Sequence, residues 1–242
     1  MSKNLKILPV RPPPELEKNP EKIKRELNPM LPGATSKGGF RPFLMTVVAP
    51  ARSGKTTLIV GLLYMIYKDI FEEIMHISPT IESDETGWAV MKGEKIIKIT
   101  ENLTEVDLIL ESIVEIQKAK PKEEREHTLI VLDDMLGLLK NQGQTYFASL
   151  CSKYRHWKIS IIVSVQSYRS LPPVCRASSS AYIIFKTNND KEYEKMEDEF
   201  SGSFPFDEVY EYATETRYNF LYINLEQIKC YKNFEELIYE KG

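Results

Sequence analysis

Apolar positions along the chain fall into two periods. Runs of aliphatic and β-branched residues at Phe43–Val48, Glu73–Pro79, Thr128–Asp134, Ile159–Gln166, Ala181–Phe185 and Asn219–Leu225 are bounded by polar or turn residues. They read as buried strands. Between them, apolar residues recur three and four apart. Leu58, Ile59, Leu62, Leu63 and Ile66 mark one helix, and Val106, Ile109, Leu110, Ile113, Val114 and Ile116 mark an amphipathic helix within Leu103–Ala119. Further helices are expected at Thr145–Tyr154, at the charged stretch Asp190–Phe200 and over the closing residues 233–242. A short strand fits Lys95–Thr100. Residues 80–94 and 167–180 are polar enough to be exposed loops, and Trp88 in the first of them either packs or stacks on a base. Strand alternating with helix predicts an α/β domain.

The first 42 residues break this pattern. Prolines at 9, 12, 13, 14, 20, 29, 32 and 42 predict extended or polyproline-like backbone with one short helix at Glu21–Leu27. Two segments are therefore expected, an arm over 1–42 and a domain over 43–242. The net charge of -3 conceals an asymmetry between them. The arm holds nine Lys/Arg against four Glu, and the remainder holds 23 Lys/Arg against 31 Asp/Glu. A basic arm on an acidic body suits an anionic partner or a merely solvated tail.

Composition narrows the classes. A hydrophobic content of 42% can build a core, and the mean hydropathy is -0.32. No apolar run has the roughly 18 residues that a membrane helix needs, and Met1–Lys6 opens no secretory signal. Cys151, Cys175 and Cys230 are far apart and odd in number, which fits neither a disulfide framework nor a zinc site. An intracellular protein is expected. His76 lies within an apolar run and reads as a core histidine.

The chemistry begins where the first strand ends. Ala49-Pro-Ala51-Arg52-Ser53-Gly54-Lys55-Thr56-Thr57 stands between a strand and a helix, the context of a phosphate-binding loop. Backbone N–H groups of such a loop point at a polyphosphate, Lys55 reaches the β/γ-phosphates, and the Thr56 hydroxyl ligates Mg2+. Ala49 stands where the motif has its first glycine. Either that turn needs no positive φ or binding is weakened. At 128–134, four apolar residues lead to Asp133 and Asp134. With a phosphate loop upstream, Asp133 suits a water-mediated Mg2+ ligand and Asp134 the residue that orients or deprotonates water. The alternative is a turn or helix cap. Gln166 ends the next strand and is placed to sense the γ-phosphate.

Phosphate loop, Ile130-Val-Leu-Asp-Asp134, and the strand ending at Gln166 before Ser167–Arg176 together resemble the HerA–FtsK superfamily of P-loop ATPases. Within it the chain is similar to the genome-packaging ATPases of large eukaryotic DNA viruses and virophages, over roughly residues 43–235. The resemblance implies a RecA-like core of the additional-strand type, with a mostly parallel central sheet flanked by helices. It implies ATP and Mg2+ as ligands and a homo-oligomeric ring that drives double-stranded DNA into a preformed capsid. It also implies action in the host cytoplasm at the site of virus assembly, with a capsid or portal-vertex protein as a further partner. Arg155 stands where the superfamily carries an arginine finger, and Arg176 is a second basic position for phosphate or DNA contact. Asp134 replaces the usual glutamate. Two other readings stay open: a nucleotide-dependent docking protein without significant turnover, and a small-molecule phosphotransferase.

Overall fold

β1 (Leu44–Val48), β3 (Thr128–Leu132), β4 (Ile159–Val165) and β5 (Ala181–Phe185) are buried at every position. Strands covered on both faces carry continuous apolar runs, as these do, rather than alternating ones. The computed structural model describes residues 27–34, 40–67, 70–78, 103–134 and 146–241. With β2 (Glu73–Ile77) at one edge, these strands run parallel in the order β2-β3-β4-β1-β5. β4 therefore lies between β1 and β3, the additional-strand arrangement that the resemblance implies. β6 (Phe220–Asn224), β7 (Lys229–Lys232) and β8 (Glu236–Glu240) continue the sheet antiparallel beyond β5.

Period-two alternation sorts side chains between two cores. Leu44 and Val48 of β1, Ile130 and Leu132 of β3, and Tyr182 and Ile184 of β5 face one core. That face is covered by α2 (Leu103–Ala119), α3 (Tyr146–Lys153), α5 (Asp190–Phe200) and α6 (Phe206–Ala213), with α4 (Pro173–Ser178) beside α3. Met45, Val47, Leu129, Val131, Ile162 and Ile183 face the other way, against α1 (Lys55–Gly61) and the π-helical turn Leu62–Tyr67 that continues it.

Several expectations need correction. A helix is expected over residues 233–242, but Glu236–Glu240 form β8, which pairs with β7. An isolated helix of that length lacks the hydrogen bonds to repay its nucleus, whereas a hairpin strand inherits a partner. Residues 167–180 are no open loop. Tyr168, Leu171 and Cys175 are buried there, and α4 starts at Pro173, where the missing N–H costs nothing. α6 follows Pro205 and buries Phe206, Val209, Tyr210 and Ala213 at helical spacing, a further helix between α5 and β6. The expected strand at Lys95–Thr100, loop 80–94 with Trp88, Thr145, and residues 1–26 of the arm lie outside the described residues. Among the described residues no helix is long and apolar enough to cross a membrane.

The packed body also begins before residue 43. Leu31 is buried, and Leu27, Met30 and Phe40 pack on the α1 side of the sheet. The Tyr222 hydroxyl donates to the Met30 carbonyl at 2.7 Å, Asn224 Nδ2 donates to the same oxygen at 3.1 Å, and the Tyr67 hydroxyl donates to Pro32 at 3.2 Å. Burial pushes both tyrosine hydroxyls far up, so they remain protonated donors. Prolines here break helices without freeing the chain, because carbonyls of proline-rich backbone are unused acceptors. Gly33 makes the return possible. It holds φ +93, and a Cβ there would stand 2.4 Å from Phe40 Cε2 and 3.0 Å from Phe43 Cδ1. Gly33→Ala is expected to cost about 2 kcal/mol in urea unfolding, the combined cost of left-handed backbone and a close contact. An unchanged midpoint would mean that this segment does not pack on the sheet in solution.

Candidate functional site

Because β1 to β5 are parallel, the segments that follow β1, β3 and β4 emerge at one edge of the sheet. After β1, the Ala49 N–H donates to the Val165 carbonyl at 2.9 Å, extending the ladder with β4 by one residue. Ala49 is fully buried. Among the described residues of the loop, the left-handed positions are Arg52 (φ 63) and Gly54 (φ 91). The glycine requirement therefore falls at 54, and Ala49 adopts its conformation without strain. Ala51 and Arg52 are exposed, and Ser53, Gly54, Lys55, Thr56 and Thr57 are half-buried. Ser53 Oγ is buried without a hydrogen-bond partner among the described residues. A buried hydroxyl left unpaired in such a loop is a donor suited to a phosphate oxygen.

Three charges meet beside this loop. Lys55 Nζ lies 2.9 Å from Asp133 Oδ1 and 3.4 Å from Asp134 Oδ1. Asp133 is buried, and the alternation that sends Val131 toward α1 sends Asp133 the same way. Its backbone N–H donates to Ile77 of β2 at 2.9 Å. A buried carboxylate is tolerable only when it is paired, and Lys55 supplies the countercharge. Gln166 Nε2 donates to Asp134 Oδ1 at 2.8 Å. The structure thus brings together Lys55, Asp133, Asp134 and Gln166, which are far apart in sequence.

Asp134 has φ 57. The left-handed region is visited by Asp far more readily than by longer side chains, because a short polar group can hydrogen-bond locally. An aspartate in place of glutamate therefore matches the backbone at this corner.

Two neighbours escaped motif reasoning. Ser164 Oγ donates to Asp133 Oδ1 in a short hydrogen bond and accepts from the Asp134 N–H at 3.1 Å, so one hydroxyl fixes both acids. Its signal was present in the sequence, since Ser164 lies two residues before Gln166 and shares its face of β4. His76 was expected to be a core histidine and is buried, but its Nε2 stands 4.0 Å from Asp133 Oδ2. The pairing of β2 with β3 created that neighbour. Beyond Gln166 the chain is anchored by Glu192, which accepts from Ser167 Oγ at 2.7 Å and from the Arg169 N–H at 3.1 Å.

The two arginines lie elsewhere. Arg155 is exposed, sits 5.2 Å over the Tyr154 ring and precedes β4, at the opposite edge of the sheet from Lys55. Arg176 is held by Glu199, with Nε 2.9 Å from Oε1, donates to the Leu171 carbonyl at 2.7 Å and covers the Tyr168 ring at 5.6 Å. These contacts take up its guanidinium, and it does not join the Lys55 cluster. Cys151, Cys175 and Cys230 are free, buried thiols. Burial pushes the Cys230 thiol up to about 12, so it is a poor nucleophile.

Residues 37–201 match the family model described as Poxvirus A32 protein. The chain is 26% identical over 203 residues to the uncharacterized protein 075L of Invertebrate iridescent virus 6, covering 82% of this chain and 75% of that relative. In fold it is similar to B204, the DNA-packaging ATPase from Sulfolobus Turreted Icosahedral Virus, with a TM-score of 0.61 at 14% identity over 84% of this chain and 100% of that one. B204 of Sulfolobus turreted icosahedral virus 2, a genome packaging NTPase solved with ATP-gammaS, gives 0.59 at 17% identity over 78% and 95%. The pCW3 conjugation coupling protein TcpA gives 0.54 at 14% identity over 75% of this chain and 57% of that chain. At these identities the structural likeness is one of fold.

Proposed function

The chain belongs to the Poxvirus A32 protein family, and from that membership we propose that it is a genome-packaging ATPase of the HerA–FtsK type, a motor that uses ATP hydrolysis to drive double-stranded DNA into a preformed capsid. The observation that supports this most directly is the Lys55–Asp133–Asp134–Gln166 cluster at the mouth of the 49–56 loop. The fold neighbours include packaging NTPases solved with nucleotide analogues, and this chain has a loop suited to the same ligand class.

Each residue then has a task. Lys55 binds the β- and γ-phosphates, and Ser53 Oγ donates to a phosphate oxygen. Asp134 accepts a proton from the attacking water, and Gln166 holds Asp134 in place while reporting the state of the γ-phosphate. Ser164 keeps both acids aimed. Thr56 and Asp133 would hold Mg2+, which when bound neutralises phosphate charge. The donor set fits a hard cation, a hydroxyl and a buried carboxylate both being oxygen ligands. Arg155 completes the site of a neighbouring subunit in a homo-oligomeric ring. The basic arm over 1–42 meets an anionic partner, DNA or an acidic face of a capsid or portal-vertex protein, at the assembly site in the host cytoplasm. The ATPase domain is 43–242 together with Leu27, Met30, Leu31 and Phe40, which pack on its sheet.

The test is ATP hydrolysis by the full chain with Mg2+, with and without duplex DNA. Phosphate release stimulated several-fold by duplex DNA is expected. Tight nucleotide binding with no turnover under either condition would favour a docking protein. Transfer of label from ATP to nucleoside monophosphates would favour a phosphotransferase.

A further inference from the structure

The turn between α6 and β6, residues 214–219, stands at the same edge of the sheet as the phosphate loop. This follows from topology: β6 is antiparallel to β5 and so begins where the parallel strands end. The turn is pinned at both ends. Thr214 Oγ1 donates to the Tyr210 carbonyl at 2.8 Å, and Asn233 Oδ1 accepts from the Phe220 N–H at 3.2 Å. Within it the Asn219 N–H donates to Thr216 at 3.0 Å.

Between these pins Tyr218 holds φ 70. A ring-bearing residue in the left-handed region is strained, and such strain persists where surroundings impose it, often at ligand clamps. Tyr218 is 52% exposed as a residue, yet its ring has fixed neighbours. Its Cδ1 lies 3.4 Å and its Cε1 4.0 Å from where a Cβ on Gly54 would stand. The Arg217 guanidinium lies 4.7 Å from the ring centroid. The core beneath is already filled by Phe220, which packs with Phe185 and Phe234. Tyr218 therefore keeps a large aromatic surface half in water, beside the loop, at the cost of backbone strain.

We propose that Tyr218 is the platform on which the base of a nucleoside triphosphate stacks when its phosphates lie on residues 49–56, with Arg217 holding the ring by its covered face. This rests on the nucleotide reading above and adds to it where the base goes and how selective the site is. Every nucleobase has a π-face, so a stacking platform tolerates base identity. The chain accordingly takes ATP and GTP with similar affinity. Tyr218 lies outside the 37–201 family match.

Equilibrium binding of ATP, GTP and inorganic tripolyphosphate to the full-length wild type, Tyr218→Leu and Tyr218→Phe tests this. Tyr218→Leu is expected to weaken ATP and GTP by about tenfold or more and to leave tripolyphosphate unchanged, while Tyr218→Phe keeps wild-type affinity. Unchanged tripolyphosphate binding also shows that the variant is folded. Tyr218→Trp gives an independent reading, with the added indole quenched by ATP and not by tripolyphosphate. Equal loss of all three ligands, or ATP binding indifferent to the ring, overturns the platform. A wild type that binds neither ATP nor tripolyphosphate overturns the phosphate-loop reading itself, a distinguishable failure that removes the platform with it.

Discussion

Lys55→Ala is expected to remove ATP turnover, by roughly a thousandfold or more, because it deletes a cation aimed at the charge that develops on the transferred phosphoryl group. The same change has a second effect that a purely catalytic lysine would not show. Lys55 Nζ stands 2.9 Å and 3.4 Å from two carboxylates, one of them buried. Without it, Asp133 and Asp134 are left as neighbouring like charges. Breaking a buried pair from one side costs more than the pair contributes. With Asp134 partly open to solvent, we expect about 2 kcal/mol of lost stability in the nucleotide-free protein, read as a lower urea midpoint. Adding Asp133→Asn to Lys55→Ala should return most of that stability and none of the turnover. If Lys55→Ala unfolds like the wild type, the three charges do not share one pocket in solution, and the site as described is wrong.

Arg155→Ala is expected to lower turnover of the assembled protein by about a thousandfold, the usual contribution of an arginine that neutralises transition-state charge. Geometry excludes its own site. Arg155 precedes β4 and Gln166 follows it, and a strand of seven residues is about 23 Å long. No side chain spans that distance, so the proposed finger can serve only a neighbour's nucleotide and not its own. Mixing Arg155→Ala subunits with Lys55→Ala subunits should therefore restore part of the activity that each lacks alone. Some sites then combine an intact Lys55 with a neighbour's intact Arg155. Absence of rescue at every mixing ratio would remove Arg155 from the mechanism. Arg176→Ala is the control: Arg176 is occupied by Glu199 and the Leu171 carbonyl, so its loss should lower stability and show no rescue on mixing.

The elements that were legible are those whose signal is local. Strands buried on both faces announce themselves as continuous apolar runs, which is why Ala181–Phe185 and Ile159–Val165 agree with the sequence to within a residue. Asp190–Phe200 was equally plain, its Asn189 side chain capping the Lys191 N–H at 3.1 Å. β8 was misread because five residues of Glu-Leu-Ile-Tyr-Glu satisfy a helical and an extended pattern about equally, and only β7 beside them breaks the tie.

For the site, the residue types at 49–57 and 133–134 determined by themselves that a phosphate loop and a pair of acids exist, because backbone turns and strand ends need those side chains at those spacings. What they could not determine is adjacency across strands. That Ser164 locks both acids, that His76 faces Asp133, that Arg155 sits at the far edge and Arg176 is occupied, and that Tyr218 leans on Gly54 all follow from strand order. The order β2-β3-β4-β1-β5-β6 is set by burial summed over the whole sheet. No stretch of the chain carries that information locally.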